Sequence, residues 1–191
     1  MFDLERFIED CRTAVAEDDS HKAVRDVTAR AVSEPAGLLT ALGEPTEGAI
    51  QKLYHGDDLT ILNVIWPAEI VLRPHNHNHI WAVIGVYGGR EDNIFWRRKG
   101  DRIEAAGAAS LMVGDAEPLG KDIIHSVINP TVKLTAALHI YGGDFFNPPE
   151  PRSQWDHESL VKHPWNIDDV RAVFSQAEMR YNAGLAAGVD A

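Results

Sequence analysis

Three histidines at alternate positions, His75, His77 and His79, form the pattern in the sequence best suited to chemistry. Their flanks, residues 61–71 and 80–87, are rich in apolar and β-branched residues and predict β-strands. Alternate side chains of a strand share one face of the sheet, so we expect all three imidazoles to point the same way. Neutral imidazole is the commonest metal ligand, and the pattern therefore predicts part of a transition-metal site.

A further histidine, His125, lies between apolar residues of a predicted strand, after the turn segment 114–120. A single histidine in such surroundings is more often a hydrogen-bonded core residue than a ligand. Together with a His-x-His pair upstream, metal ligation becomes the better interpretation. The sequence thus favours a metal site assembled from two separate strands.

The composition limits the classes of protein to which this chain can belong. The chain has 191 residues, 45% hydrophobic and 25% charged, which fits a single globular domain over residues 1–191. Its formal net charge of -11 and the lack of a Lys/Arg-rich cluster argue against nucleic acid or an anionic membrane as partner. Since the sequence shows neither a membrane-length apolar run nor a secretory leader, we expect a cytoplasmic location. The single cysteine, Cys11, excludes an intramolecular disulfide and a cysteine-based zinc site.

The secondary-structure elements predicted to position these residues are helices at both ends of the chain and strands between them. Apolar residues spaced by three and four between residues 3 and 32 predict two amphipathic helices, with a break near residues 18–20 and with Cys11 on the buried stripe. A further helix is predicted from about Asp168, beyond the proline-rich link 147–151. Between the helices the pattern predicts short strands: Thr60 to Trp66, Ile80 to Tyr87, Asp92 to Arg98, Leu111 to Val113, His125 to Ile128 and Leu134 to Tyr141.

Many short strands at regular spacing are typical of an antiparallel sandwich or barrel. We therefore expect a helical segment over residues 1–45, a β-barrel over 53–145 and a C-terminal extension over 152–191 within one domain.

The two histidine motifs and the glycine-bearing turn resemble the paired motifs of the cupin superfamily. The resemblance implies a mainly β fold, the cupin double-stranded β-helix or jelly-roll barrel, with N-terminal helices and a C-terminal helix. It also implies His75, His77 and His125 as the metal ligands. His77 and His79 are the competing pair, and a non-ligating His79 would line the pocket or support a ligand.

Cupins usually carry a glutamate four or five residues after the second histidine, where this chain has Trp81 and Ala82. Three neutral histidines without a carboxylate narrow the resemblance to the thiol dioxygenases, the cysteine dioxygenase and 3-mercaptopropionate dioxygenase family. The segment 81–91 is similar to the strand and turn that follow the ligand pair in bacterial members. His139-Ile140-Tyr141-Gly142 is similar to their His-x-Tyr-Gly segment.

This resemblance implies an Fe(II) enzyme that adds both atoms of O2 to the sulfur of a small thiol and yields a sulfinate. Tyr141 would face the substrate and oxygen, and His139 would orient Tyr141. On spacing alone, Tyr141 could equally be an aromatic residue that packs the barrel. Ala137 stands where relatives often carry a serine that bonds this histidine, and no cysteine is placed to crosslink to Tyr141.

A thiol acid needs a cation for its carboxylate, and arginine can bind it in a bidentate way. Arg152 lies near where bacterial relatives place theirs, and Arg73 is the second candidate, although either could be a surface arginine. Trp81 is the third predicted substrate-binding residue.

Two other functions remain open on the sequence. One is a cupin enzyme that acts on a non-thiol substrate with Ni, Mn or Zn, and the other is a non-catalytic metal- or ligand-binding cupin. A homodimer is also left open.

Overall fold

The computed structural model describes residues 2–17 and 21–186, so the predicted helix break at 18–20 lies outside the described residues. The predicted helices at both ends of the chain are confirmed. The helices are α1 (Leu4–Glu17), α2 (His21–Val32), α3 (Pro35–Leu42) and α4 (Ile167–Ala186). Cys11 lies on the buried face of α1, as its apolar stripe predicts, and burial raises the pKa of its thiol to about 12.

The strands occupy most of the chain between α3 and α4. They are β1 (Ala49–His55), β2 (Thr60–Trp66), β3 (His75–Asn76), β4 (Ala82–Gly88), β5 (Arg90–Lys99), β6 (Arg102–Met112), β7 (Ala116–Leu119), β8 (Ile124–Ile128), β9 (Thr135–Tyr141), β10 (Ser153–Trp155) and β11 (Lys162–Pro164). β1 begins before the predicted barrel boundary at residue 53, and β10 and β11 lie within the segment predicted as a C-terminal extension.

The strands form two antiparallel sheets. One sheet has the order β1-β2-β9-β4-β7 and the other has the order β11-β10-β3-β8-β5-β6. The chain crosses repeatedly from one sheet to the other, so several strands that are neighbours in a sheet, such as β2 and β9, are remote in sequence. This arrangement is the cupin double-stranded β-helix, mainly β with helices at both ends, and it confirms the expected fold class.

The centre of the five-stranded sheet is buried on both faces, and every residue of β2 and β9 is buried. Alternate residues of β2 divide between two cores: Leu62 and Val64 face the barrel interior, whereas Ile61 and Ile65 pack under the N-terminal helices. The N-terminal helices thus cover the outer face of this sheet, whose inner face lines the barrel interior.

Close contact between α2 and the sheet depends on Gly85 of β4. A Cβ atom at this position would lie 2.4 Å from Cγ2 of Thr28 on α2, far inside van der Waals contact. α4 packs on the interior core through Val170, Phe174 and Ala177. No helix within the described ranges combines the length and apolar character needed to cross a membrane.

Candidate metal centre

The strand predicted to carry three aligned histidines is short. β3 comprises His75 and Asn76, and the backbone turns after His77 because Asn78 and His79 adopt positive φ angles of 48° and 68°. The expectation that all three imidazoles share one face is therefore wrong. The His79 side chain is 55% exposed and lies 3.5 Å from Glu150, so it neither joins the cluster nor lines its cavity.

The other three histidines converge in the barrel interior. His75 and His125 are directly opposite each other on the antiparallel pair of β3 and β8, with ring centroids 4.6 Å apart. The ring of His77 lies 4.9 Å from that of His125 and 5.5 Å from that of His75. One nitrogen from each ring lies within 4.8 Å of the others, so the three can face a single ion.

Burial keeps these imidazoles neutral. It lowers the pKa of His75 to about 4, and the backbone carbonyl of Arg73 opposes this shift only in part. Burial also lowers the pKa values of His77 and His125 well below the ordinary range, and the neighbouring histidines add to the effect. A neutral imidazole has a free lone pair, which is the form that binds a metal.

Hydrogen bonds determine which nitrogen faces the centre. Nδ1 of His75 lies 2.9 Å from the backbone carbonyl of Arg73, and Nδ1 of His125 lies 2.7 Å from Oδ1 of Asn93. Both partners are acceptors, so each Nδ1 donates and each Nε2 keeps its lone pair. Orientation of ligand imidazoles by such outer partners is typical of protein metal sites.

His77 completes the donor set. Its Nε2 lies 3.1 Å from Nε2 of His125, and its buried Nδ1 has no hydrogen-bond partner among the described residues. Nitrogens that bind one ion at about 2.1 Å, with angles near 90–110°, lie about 3.0–3.4 Å apart. The 3.1 Å spacing of this pair and the neutral donors fit a divalent transition metal.

Sequence reasoning missed a fully buried carboxylate, Glu91 of β5, which is 0% exposed. Its Oε1 accepts a hydrogen bond from Asn93 at 3.0 Å, and its Oε2 accepts one from Trp66 Nε1 at 2.7 Å. Oε2 also lies 3.2 Å from Nε2 of His139, across the barrel on β9. Glu91 thus connects the Asn93–His125 pair on one sheet with His139 on the other.

His139 and Tyr141 are alternate residues of β9 and both line the interior. With Nε2–H directed at Glu91, Nδ1 of His139 is left to accept from the Tyr141 hydroxyl, at a long 3.4 Å. The Tyr141 ring also packs against His77, with centroids 5.2 Å apart. Glu91 therefore orients His139 by accepting a hydrogen bond from its Nε2. Ala137 has no hydroxyl and cannot orient this histidine.

Arg152 is buried, with 7% of its surface exposed, between two aromatic rings. Its guanidinium carbon lies 4.0 Å from the Phe145 centroid and 3.7 Å from the Trp165 centroid. Burial lowers the pKa of Arg152 to about 10, so the group remains a cation at neutral pH. It forms no ion pair with any of the described carboxylates, and it lines the same cavity as the histidines.

The asparagines that alternate with the histidines fix the segment bearing Arg152. Oδ1 of Asn76 accepts a hydrogen bond from the Ser153 amide at 2.7 Å, and Nδ2 of Asn78 donates to the Pro151 carbonyl at 2.8 Å. The metal motif and the arginine are consequently positioned by the same short segment.

The site faces an inner cavity of about 60 Å³. Aliphatic and aromatic side chains form most of its wall, and the polar groups on it are few: His75, His125, His139, Tyr141 and Arg152. A cavity with an apolar wall and a few convergent polar groups is typical of a small-molecule site.

Two predicted substrate-binding residues lie elsewhere. Trp81 is buried in the core beneath the N-terminal helices, against Gly142, and does not line the inner cavity. Arg73 borders a separate small pocket, and its contribution to the site is the backbone carbonyl that binds His75. We therefore leave both side chains out of the proposed substrate site.

Beyond Glu91 and Asn93, sequence reasoning missed Phe145 and Trp165 as the flanks of Arg152. The alternation Glu91-x-Asn93-x-Phe95 on a strand was an available signal, because it places two polar side chains on the inward face. No local pattern identifies Trp165, which reaches the site through the fold of the C-terminal segment.

No family model matches the chain, and no curated protein matches its sequence. Among solved structures, it is similar to a double-stranded β-helix protein from Klebsiella pneumoniae, with 11% identity and a TM-score of 0.47 over 61% of this chain and 87% of that one. A protein from Bacillus halodurans has 16% identity and a TM-score of 0.47, covering 70% and 84%. An RmlC-like cupin from Methanocaldococcus jannaschii has 9% identity and a TM-score of 0.45, covering 53% and 85%. At these identities the likeness concerns the fold alone, which the two-sheet topology itself defines.

Proposed function

We propose that the protein is a non-haem iron(II) dioxygenase of the thiol dioxygenase type, in which His75, His77 and His125 hold the iron. The observation that carries the proposal is a cluster of three neutral histidines with no carboxylate among its described members, two of which line one cavity together with Tyr141 and a buried arginine. A three-histidine set leaves a divalent ion its full charge and open positions, which suits an anionic thiolate. The chemistry that iron(II) supplies when bound is the addition of both atoms of O2 to sulfur, giving a sulfinate.

In this proposal Arg152 binds the substrate carboxylate. Phe145 and Trp165 keep its guanidinium in place, so little side-chain freedom is lost on binding. The apolar wall lowers the local dielectric, which strengthens a charge-assisted hydrogen bond between Arg152 and a carboxylate.

Tyr141 acts as a hydrogen-bond donor to the substrate head group or the incoming oxygen. Burial raises the pKa of its hydroxyl, so the proton remains on oxygen at neutral pH. Its contact with His139 is long, which leaves the hydroxyl able to turn toward a bound molecule.

Oxygen uptake by protein reconstituted anaerobically with iron(II) tests the proposal. The panel contains cysteine, 3-mercaptopropionate, cysteamine and a thiol-free control, with the product identified by mass spectrometry. We expect thiol-dependent uptake that yields a sulfinate and is lost in His125→Ala, whereas His163→Ala, at an exposed histidine, retains it. Arg152→Gln should raise the KM for the thiol acids but not for cysteamine, which has no carboxylate. Absence of uptake with every thiol, despite stoichiometric iron, would contradict thiol oxidation.

A second candidate is a metal-dependent cupin enzyme that acts on a carboxylic acid without a thiol, using Ni, Mn or Zn. The apolar wall of the cavity favours it, because thiol acids of the size of cysteine have little apolar surface to bury. Turnover of a thiol-free acid in a panel of metal-loaded samples would support this candidate over thiol oxidation.

A further inference from the structure

A second cavity borders the inner one. It has a volume of about 640 Å³ and lies between β1, β2 and α4. Four apolar side chains line both cavities: Ile50, Leu62, Phe146 and Ile167. The two cavities are therefore adjacent, and these four side chains form the boundary between them.

The inner cavity is small. Its volume of about 60 Å³ is roughly that of two water molecules in the liquid. Arg152, His75 and His125 border this space, so it suits the polar head group of a ligand. The remainder of any larger ligand must occupy the outer cavity, which has about ten times the volume.

The boundary between the cavities, which is the path that a longer ligand would take, is apolar. Ile50 and Phe146 are 38% and 43% exposed. Covering large apolar side chains at the mouth of a cavity is energetically favourable. Lys52 stands over the Phe146 ring, 5.7 Å from its centroid, at the outer edge of this path. An apolar chain passing here would bury surface that now faces water.

We propose that the ligand of this site is a carboxylic acid with an apolar body, whose head group binds Arg152 and whose body passes between Ile50 and Phe146 into the outer cavity. The inference rests on the proposed function in taking the inner cavity as the substrate site. For a thiol substrate, the sulfur and carboxylate occupy the inner end, and the apolar body extends from a carbon beside them, as in a 3-mercaptoalkanoate.

Binding of sulfur-free acids tests the ligand class without any turnover. Acetate, butanoate, hexanoate, octanoate and decanoate are titrated into the full chain by calorimetry, with and without iron(II) under anaerobic conditions. Each added methylene should raise the affinity about fourfold until the chain fills the outer cavity. Equal affinity for acetate and octanoate would overturn the inference.

Variants locate the binding path. Ile50→Asp should reduce the affinity for octanoate at least tenfold more than that for acetate, because a carboxylate then faces the alkyl chain. The matched control is Val161→Asp, at an apolar residue that is 53% exposed and lines neither cavity. Phe146→Ala is a second, milder change on the same path. It should reduce the gain in affinity with each added methylene of the carboxylate. An unchanged series in both path variants would overturn the inference.

The two proposals fail in different ways. Oxidation of 3-mercaptopropionate with no gain for 3-mercaptooctanoate, together with a flat carboxylate series, would reject the extended site and keep thiol oxidation. A steep carboxylate series without sulfinate from any thiol would support the ligand class and reject thiol oxidation.

Discussion

Replacing Glu91 tests whether one buried carboxylate orients both the metal ligand and the tyrosine side of the site. In Glu91→Leu, donors on Trp66, Asn93 and His139 lose their acceptor in the barrel interior. An unsatisfied buried donor costs about 1–3 kcal/mol, so three of them predict a loss of at least about 3 kcal/mol in the free energy of unfolding.

Glu91→Gln is the sharper change because it alters polarity at nearly constant shape. An amide NH2 beside Asn93 would favour a flipped Asn93 amide, which turns a donor toward Nδ1 of His125. His125 would then carry its proton on Nε2, the nitrogen that faces the metal. We expect metal affinity to fall about 10–100-fold and stability to fall by about 1–3 kcal/mol.

The assays are urea unfolding by linear extrapolation and competition for the metal with a chelator of known affinity. Glu104→Gln is the control, because Glu104 pairs with Arg97 and Lys99 on the surface and its replacement should leave stability nearly unchanged. A Glu91→Gln protein with wild-type metal affinity, and with stability within about 0.5 kcal/mol of wild type, would refute the orienting role.

Three further predictions concern other parts of the molecule. The pKa of His75 is about 4 when folded and 6.5 ordinarily, so the unfolded chain binds more protons between these values. Metal-free protein should therefore lose stability as pH falls from about 6.5 to 4, by up to about 1.4 kcal/mol per pH unit for each such histidine, and a flat urea-unfolding profile would contradict this. Gly142→Ala would place Cβ 2.0 Å from the Trp81 ring and should lower the melting temperature by several degrees, whereas Gly120→Ala, with open space around it and no positive φ, should have a much smaller effect. Cys11 should react with a thiol reagent at pH 8 only after unfolding, since it is 0% exposed with a raised pKa, and prompt labelling of the native protein would refute its burial.

The strands that sequence reasoning located are those with continuous or alternating apolar residues. β2 matches its predicted bounds, and β9 and β8 match theirs to within one residue, because buried strands carry a strong local signal. β1 is largely exposed, and β11 is short and fully exposed, so neither has the apolar pattern that marks a strand.

The clustering of three histidines was predictable from local motifs, whereas contacts between side chains remote in sequence were not. His75, His77 and His125 follow from short motifs. The exclusion of His79 depends on two positive φ angles, which no residue type in the motif indicates. Glu91 contacts His139 across the barrel, and Trp165 reaches Arg152 from the C-terminal segment. Contacts of this kind produce no periodic pattern in the sequence.

The asparagines between the histidines have a consequence for transplanting this centre into another scaffold. Asn76 and Asn78 hold the segment that carries Arg152, so the histidine motif and the arginine form one structural module built from two chain segments. A graft of residues 73–79 alone would carry His75 and His77 without Arg152. Including residues 151–155 would add the arginine, and the strand that bears His125 would still be needed for the third imidazole.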